Sequence, residues 1–131
     1  MAEELTLFFD RCVGKLLPQA LLLLKCPFEV KYHQGEGFKH NTEDDTWLHK
    51  IGPKKWVVLS FDAKWQDESA AVEAIKQHKI GCFYLAGASS IGFFRLTRFA
   101  LAYRRLRDIV ANEKRPFIYK IDGRNRFKKL L

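Results

Sequence analysis

The sequence predicts an α/β fold, a mostly parallel sheet with helices on both faces. Three observations predict it. Short apolar or alternating runs take turns with longer runs of helical period, in the order strand, helix, strand, through to a ninth element. Two strand-like runs end directly on an aspartate, Asp10 and Asp62, and parallel strands bring such ends to one ligand-binding edge. The chain has 131 residues, 47% of them hydrophobic and 29% charged, which suits one folded domain over 1–131 that buries roughly two-thirds of its unfolded surface.

The first strand is expected at residues 5–9, short, apolar and bounded by charge. Gly14 precedes a helical run with Pro18 in its first turn, where the missing N–H costs nothing. Residues 20–24 fill its body, and Cys26-Pro27 ends it. Phe28, Val30 and Tyr32 alternate with charged residues, the period of a strand. The polar stretch 33–41, with Gly35 and Gly37, is a loop. Thr42 caps a short helix at 43–50 whose acidic first turn suits the helix dipole. The clearest strand is 56–61. A helix follows from Glu68 or Ser69 to about Lys79, then a strand at 82–85. Ser89 and Ser90 can cap the longest helix, 91–112, whose apolar residues recur at three- and four-residue spacings. Pro116 stops it, 117–121 forms the last expected strand, and a basic tail at 124–131 closes the chain.

Composition excludes several classes. Three cysteines without C-x-x-C spacing give no disulfide framework or zinc ribbon, so a reducing cytoplasm is the simple expectation. The most apolar stretch, within 16–25, is far shorter than the roughly 20 residues a bilayer needs. Glu3 and Glu4 replace the basic start of a secretory signal. The net charge of +8 points to a polyanionic partner, nucleic acid first. It is unevenly placed: residues 1–94 hold 11 Lys/Arg against 12 Asp/Glu, and residues 95–131 hold 12 against 3.

Asp10 and Asp62, joined by the helix opening Glu43-Asp44-Asp45, give carboxylates that can converge at the sheet edge. Converging carboxylates repel, so such a cluster calls for a hard divalent cation, Mg2+ or Mn2+. An aspartate after a strand also serves as a plain turn former or helix cap, and that reading stands beside the first.

Several segments together resemble a known family. Leu7-Phe8-Phe9-Asp10-Arg11-Cys12-Val13-Gly14-Lys15 resembles the opening of the PIN-like domain family of VapC-type toxins. Asp44-Asp45-Thr46-Trp47-Leu48 resembles its "D-x-x-W-L" helix. Trp56-Val57-Val58-Leu59-Ser60-Phe61-Asp62 resembles its next strand and second aspartate, and Arg115-Pro116-Phe117-Ile118-Tyr119-Lys120-Ile121 its final strand. The resemblance implies a three-layer α/β/α fold and metal-dependent cleavage of RNA by the toxin of a type II toxin–antitoxin pair. Its cofactor would be Mg2+ or Mn2+, and its partners RNA and a cognate antitoxin, with room for a homodimer. Carried over by motif, Asp10, Asp44 and Asp62 are the metal-site and catalytic acids; Asp44 is preferred to Asp45 because it stands three residues before Trp47. Glu68 and Glu73 are candidates for a fourth acid by position only. The alternative is a catalytically weak PIN-like module that binds RNA or an antitoxin.

The basic helix and tail, 91–131, hold the charge excess. Arg95, Arg98 and Arg105 can share one helix face and, with Lys15, are candidates for sequence-blind phosphate contacts. The plainer reading is a solvated face and a frayed tail. His33, His40 and His49 match no zinc spacing and read as solvated loop or helix histidines, with His78 apart. Trp47 and Trp56 read as core anchors, and Trp65 as the candidate base-stacking aromatic. Ser60 can either assist the acids or point into a helix layer.

Overall fold

The structure is a computed structural model and describes residues 5–61 and 68–131. Six strands form one sheet: β1 (Thr6–Phe9), β2 (Glu29–Tyr32), β3 (Val57–Ser60), β4 (Gly81–Leu85), β5 (Phe117–Ile121) and β6 (Phe127–Lys129). Their order is β2-β1-β3-β4-β5-β6. The first five are mutually parallel, and β6 turns back antiparallel on β5. Four helices connect them: α1 (Leu16–Leu23), α2 (Asp44–Ile51), α3 (Ser69–His78) and α4 (Gly92–Asn112). The α/β prediction, with its mostly parallel sheet, holds.

The period-2 alternation of the strands divides the core into two layers. Leu7, Phe9, Leu59, Phe83 and Tyr119 point to one face and meet Leu17 and Leu21 of α1 and Phe99, Ala102 and Leu106 of α4. Phe8, Val58, Cys82 and Ile118 point to the other and meet Trp47, Leu48 and Ile51 of α2 and Ala71, Ala74 and Ile75 of α3. The arrangement is a three-layer α/β/α sandwich.

Crossovers between parallel strands ordinarily share the right hand, and one connection here departs from the others. The β1-to-β2 and β4-to-β5 steps run in opposite directions across the sheet, yet α1 and α4 cover the same face. Same-hand crossovers in opposite directions need opposite faces. The connection through α4 therefore has the opposite hand to those through α1, α2 and α3.

The tail differs from a frayed end. Phe127 packs against the first core layer. The Tyr119 hydroxyl donates to Glu113 at 2.7 Å, and Lys129 pairs with the same carboxylate at 3.1 Å. Helix α1 departs in another way. Only Leu17, Pro18 and Leu21 of its apolar run are buried, and Leu16, Leu22, Leu23 and Leu24 face outward. No described helix is long and apolar enough to cross a membrane.

Candidate active site

The five parallel strands end on one edge, and three neighbouring ends carry polar side chains there. Phe9 pairs with Tyr32 of β2 and Leu59 of β3. The next residue on each strand is Asp10, His33 and Ser60. Backbone bonds continue the register: Asp10 N–H donates to Leu59 O at 3.1 Å, and His33 N–H to Phe9 O at 2.9 Å. By alternation all three side chains turn to the α2/α3 face, and all three are buried.

Asp10 caps a single 3-10 turn, Arg11–Val13, which Gly14 closes at φ 77°. That positive φ is what glycine supplies cheaply. The carboxylate oxygen Oδ1 accepts the Cys12 N–H at 3.0 Å and the Cys12 thiol at 2.7 Å. Ser60 also hydrogen-bonds this carboxylate. The Cys12 sulfur lies 3.4 Å from Ser60 Oγ and accepts the Phe61 N–H at 3.4 Å. Burial pushes the Asp10 carboxyl up to about 6, with the charge of Asp44 adding to it and the Cys12 and Ser60 donors opposing. Burial and the neighbouring Asp10 push the Cys12 thiol up to about 12. Cys12 therefore serves as a thiol donor to Asp10, not as a thiolate.

Asp44 opens α2, the helix that leads into β3. Its Oδ1 accepts the Trp47 indole N–H at 3.0 Å. Trp47 is buried, 5.3 Å from the Phe8 ring and edge-on to His33 at 6.4 Å. The D-x-x-W spacing thus has a physical reason: one helical turn brings the indole under the carboxylate, and the core fixes the indole. Asp45, its neighbour, is half-exposed in the same first turn.

The remaining sequence candidates fall as follows. Asp62 and Trp65 lie outside the described residues. Glu68 is the N-cap of α3, and Glu73 is exposed on that helix. Lys15 is exposed at the start of α1. Arg95 and Arg98 are engaged with the main chain. Arg95 donates to Ser89 O at 2.8 Å and to Val13 O at 2.8 Å, and stacks over Phe61 at 4.8 Å. Arg98 donates to Ala86 O at 3.0 Å, Asp122 O at 3.1 Å and Ile121 O at 3.3 Å. Arg105 is exposed, with its guanidinium 5.5 Å from the Phe127 ring.

Sequence reasoning missed two members of this cluster. From sequence, Cys12 is weighed only as a disulfide former or zinc ligand. His33, expected among solvated histidines, is fully buried against Phe38 and Trp47. Neither of its ring nitrogens has a hydrogen-bond partner among the described residues. Burial, helped by the Arg11 charge, holds its pKa below the ordinary histidine range. Its sole sequence signal was the register, one residue past the second strand.

Besides the His33 imidazole, the donors gathered at this edge are carboxylate and hydroxyl oxygens, and the Cys12 sulfur is held protonated. That set suits a hard divalent ion in kind. Among the described residues, no group of three or more His, Cys, Asp or Glu side chains is close enough to hold a metal.

Residues 5–87 match a family model described as a PIN-like domain. The match takes in β1 through β4 with Asp10 and Asp44, and it stops before the basic helix α4. No curated protein and no solved structure matches the chain.

Proposed function

The chain belongs to the PIN-like domain family, and from that premise we propose that it is a Mg2+- or Mn2+-dependent endoribonuclease, the toxin of a type II toxin–antitoxin pair. A PIN-like domain points to a nuclease or RNA-related role. The finer reading is carried by one observation: Asp10 is buried at the end of β1 on the face that α2 covers, and the Trp47 indole holds a second carboxylate, Asp44, at the start of α2. The fold gains nothing from repulsion between the two carboxylates, whereas a cation between them relieves it.

In this reading Asp10, Asp44 and Asp62 hold the metal. A bound Mg2+ or Mn2+ supplies a lowered pKa for a water nucleophile and neutralises charge on the scissile phosphate. The chain's own part is orientation. The Cys12 amide and thiol fix one oxygen of Asp10, Ser60 steadies the carboxylate from β3, and Trp47 fixes Asp44. Hydrolysis by water leaves a 5′-phosphate and a 3′-hydroxyl. Cations outside the family match, Arg105 among them, with Lys15 at the site's edge, hold RNA phosphates in a sequence-blind way.

The test is cleavage of structured and single-stranded RNA by the purified chain in Mg2+. EDTA should abolish cleavage. Asp10→Asn, Asp44→Asn and Asp62→Asn should each lower it by roughly 100-fold or more, the scale of losing one transition-state stabiliser. Cleavage that survives EDTA or Asp10→Asn refutes the metal mechanism.

A second observation favours a protein partner beside the RNA. Leu16 and Leu23 of α1 and Phe93 and Leu101 of α4 are each at least 67% exposed, on two helices that cover the same sheet face. An exposed apolar area of this kind marks an interaction surface, and an antitoxin segment with acidic residues fits its basic surroundings. Co-expression with the cognate antitoxin should yield a complex that Leu23→Glu and Leu101→Glu together dissolve.

A further inference from the structure

At the end of α2 far from Asp44, two histidines meet. His49 Nδ1 and His78 Nε2 stand 3.0 Å apart, with ring centroids 5.1 Å apart and planes at 80°. His49 is exposed on α2, and His78 is half-buried at the last residue of α3. We propose that this pair is a surface bis-imidazole site for a late first-row divalent cation of the copper or nickel type, independent of the acidic edge.

Three features carry the proposal. The first is ligand geometry. Imidazole nitrogens bind such ions at about 2.0–2.1 Å, so two nitrogens 3.0 Å apart subtend about 90–97° at a shared ion. That is the cis angle of square-planar or octahedral coordination.

The second is preorganisation. The His78 ring lies against Gly52, in the turn after α2. A Cβ on Gly52 would fall 2.4 Å from the His78 Cγ. The ring therefore occupies space that only glycine leaves, and its position is set before any ion arrives. His49, being exposed, has room to rotate until the two lone pairs converge on one ion in place of sharing a proton. The third is access: an exposed imidazole leaves the outer coordination positions to water.

An ion bound here ties the far end of α2 to α3, two helices already packed on one core layer. It does so at the opposite end from Asp44. Binding should therefore raise thermal stability without requiring the nuclease acids.

The experiment is titration of the purified, metal-stripped full chain with Cu2+, Ni2+ and Zn2+ by calorimetry, with continuous-wave EPR of the Cu2+ form. One equivalent of Cu2+ should bind, in the affinity order Cu2+ above Ni2+ and Zn2+, with nitrogen hyperfine splitting from two equatorial imidazoles. His49→Ala and His78→Ala should each weaken binding by on the order of tenfold or more, and Asp10→Asn and His40→Ala should leave it unchanged. The proposal is overturned if Cu2+ binds equally well to both histidine variants, or if binding is lost in Asp10→Asn. Should a variant fail to fold, the EPR of the unsubstituted chain decides: a signal without two coordinated nitrogens overturns it as well.

Discussion

Asp10→Asn should change stability in a pH-dependent way, because the buried carboxyl is hard to ionise in the folded chain. Folding raises it from an ordinary 3.8 to about 6. At 1.36 kcal/mol per pH unit, that difference is worth about 3 kcal/mol. The sign follows from linkage. Below pH 3.8 the group is protonated in both folded and unfolded chains and costs nothing. As pH rises from 3.8 towards about 6 the unfolded chain gives up this proton while the folded chain, with the side chain only 4% exposed, keeps it, and stability falls. Above that value the full cost stands. Asparagine carries no such cost, and its amide oxygen can still accept the Cys12 N–H. In EDTA, the stability of Asp10→Asn minus that of the unsubstituted chain should therefore grow by roughly 2–2.5 kcal/mol between pH 4 and pH 7.5. Urea unfolding followed by tryptophan fluorescence at a series of pH values measures it. The absolute offset depends on how the new amide is accommodated, so the pH dependence is the test. A difference that stays flat across this range refutes the burial argument, and one that shrinks refutes its sign. Added Mg2+ should stabilise the unsubstituted chain at pH 7.5 and not Asp10→Asn.

Trp47→Phe keeps an aromatic ring against Phe8 but removes the indole donor to Asp44, so RNA cleavage should fall while denaturant stability drops by only about 1–2 kcal/mol; equal cleavage would show that the indole does not position the acid. Arg98→Ala removes a charged donor from three main-chain carbonyls and should cost about 2 kcal/mol in urea unfolding. Arg105→Ala should change unfolding by no more than about 0.5–1 kcal/mol, the scale of its exposed contact with the Phe127 ring, while weakening RNA binding and reducing its salt dependence by about one counterion.

Strands and helices were legible because their signals are local. The alternation of Phe28, Val30 and Tyr32, and the spacing of Phe99, Ala102 and Leu106, need no knowledge of the rest of the chain. Strand β6 was not, because a three-residue edge strand with two lysines has the composition of a soluble tail, and its partner β5 supplies the pairing. Asp44 was preferred to Asp45 on the resemblance to the family's D-x-x-W-L helix, and its bond to the Trp47 indole one helical turn on gives that spacing a local cause. The contact of Cys12 with Asp10 had the same kind of signal, two residues apart, but cysteine was weighed there only as a disulfide former or zinc ligand. The burial of His33 had only its place one residue past the second strand, and the meeting of His49 with His78 had no signal at all. They depend on how β2 abuts β1 and how α2 packs on α3, and residues 29 positions apart reveal neither in the sequence.

Charge shows most clearly what counting cannot do. The excess of residues 95–131 admits either a phosphate-holding surface or a solvated face and frayed tail, and the structure divides it by what each guanidinium touches. Arg95 reaches the carbonyls of Cys12 and Val13, in the turn that Asp10 caps, so it ties α4 to the strand end that carries the buried acid. Arg98 does the same for the ends of β4 and β5 through Ala86, Ile121 and Asp122. Reversing either charge therefore disturbs the frame around Asp10 before it says anything about RNA. Lost cleavage in Arg95→Glu would be ambiguous between a displaced carboxylate and a missing phosphate contact. Arg105 bonds to no such carbonyl and stays exposed over Phe127. It is the position at which binding separates from folding, and a fall in RNA affinity there, with stability and Mg2+ response intact, is what assigns the basic helix to the nucleic acid.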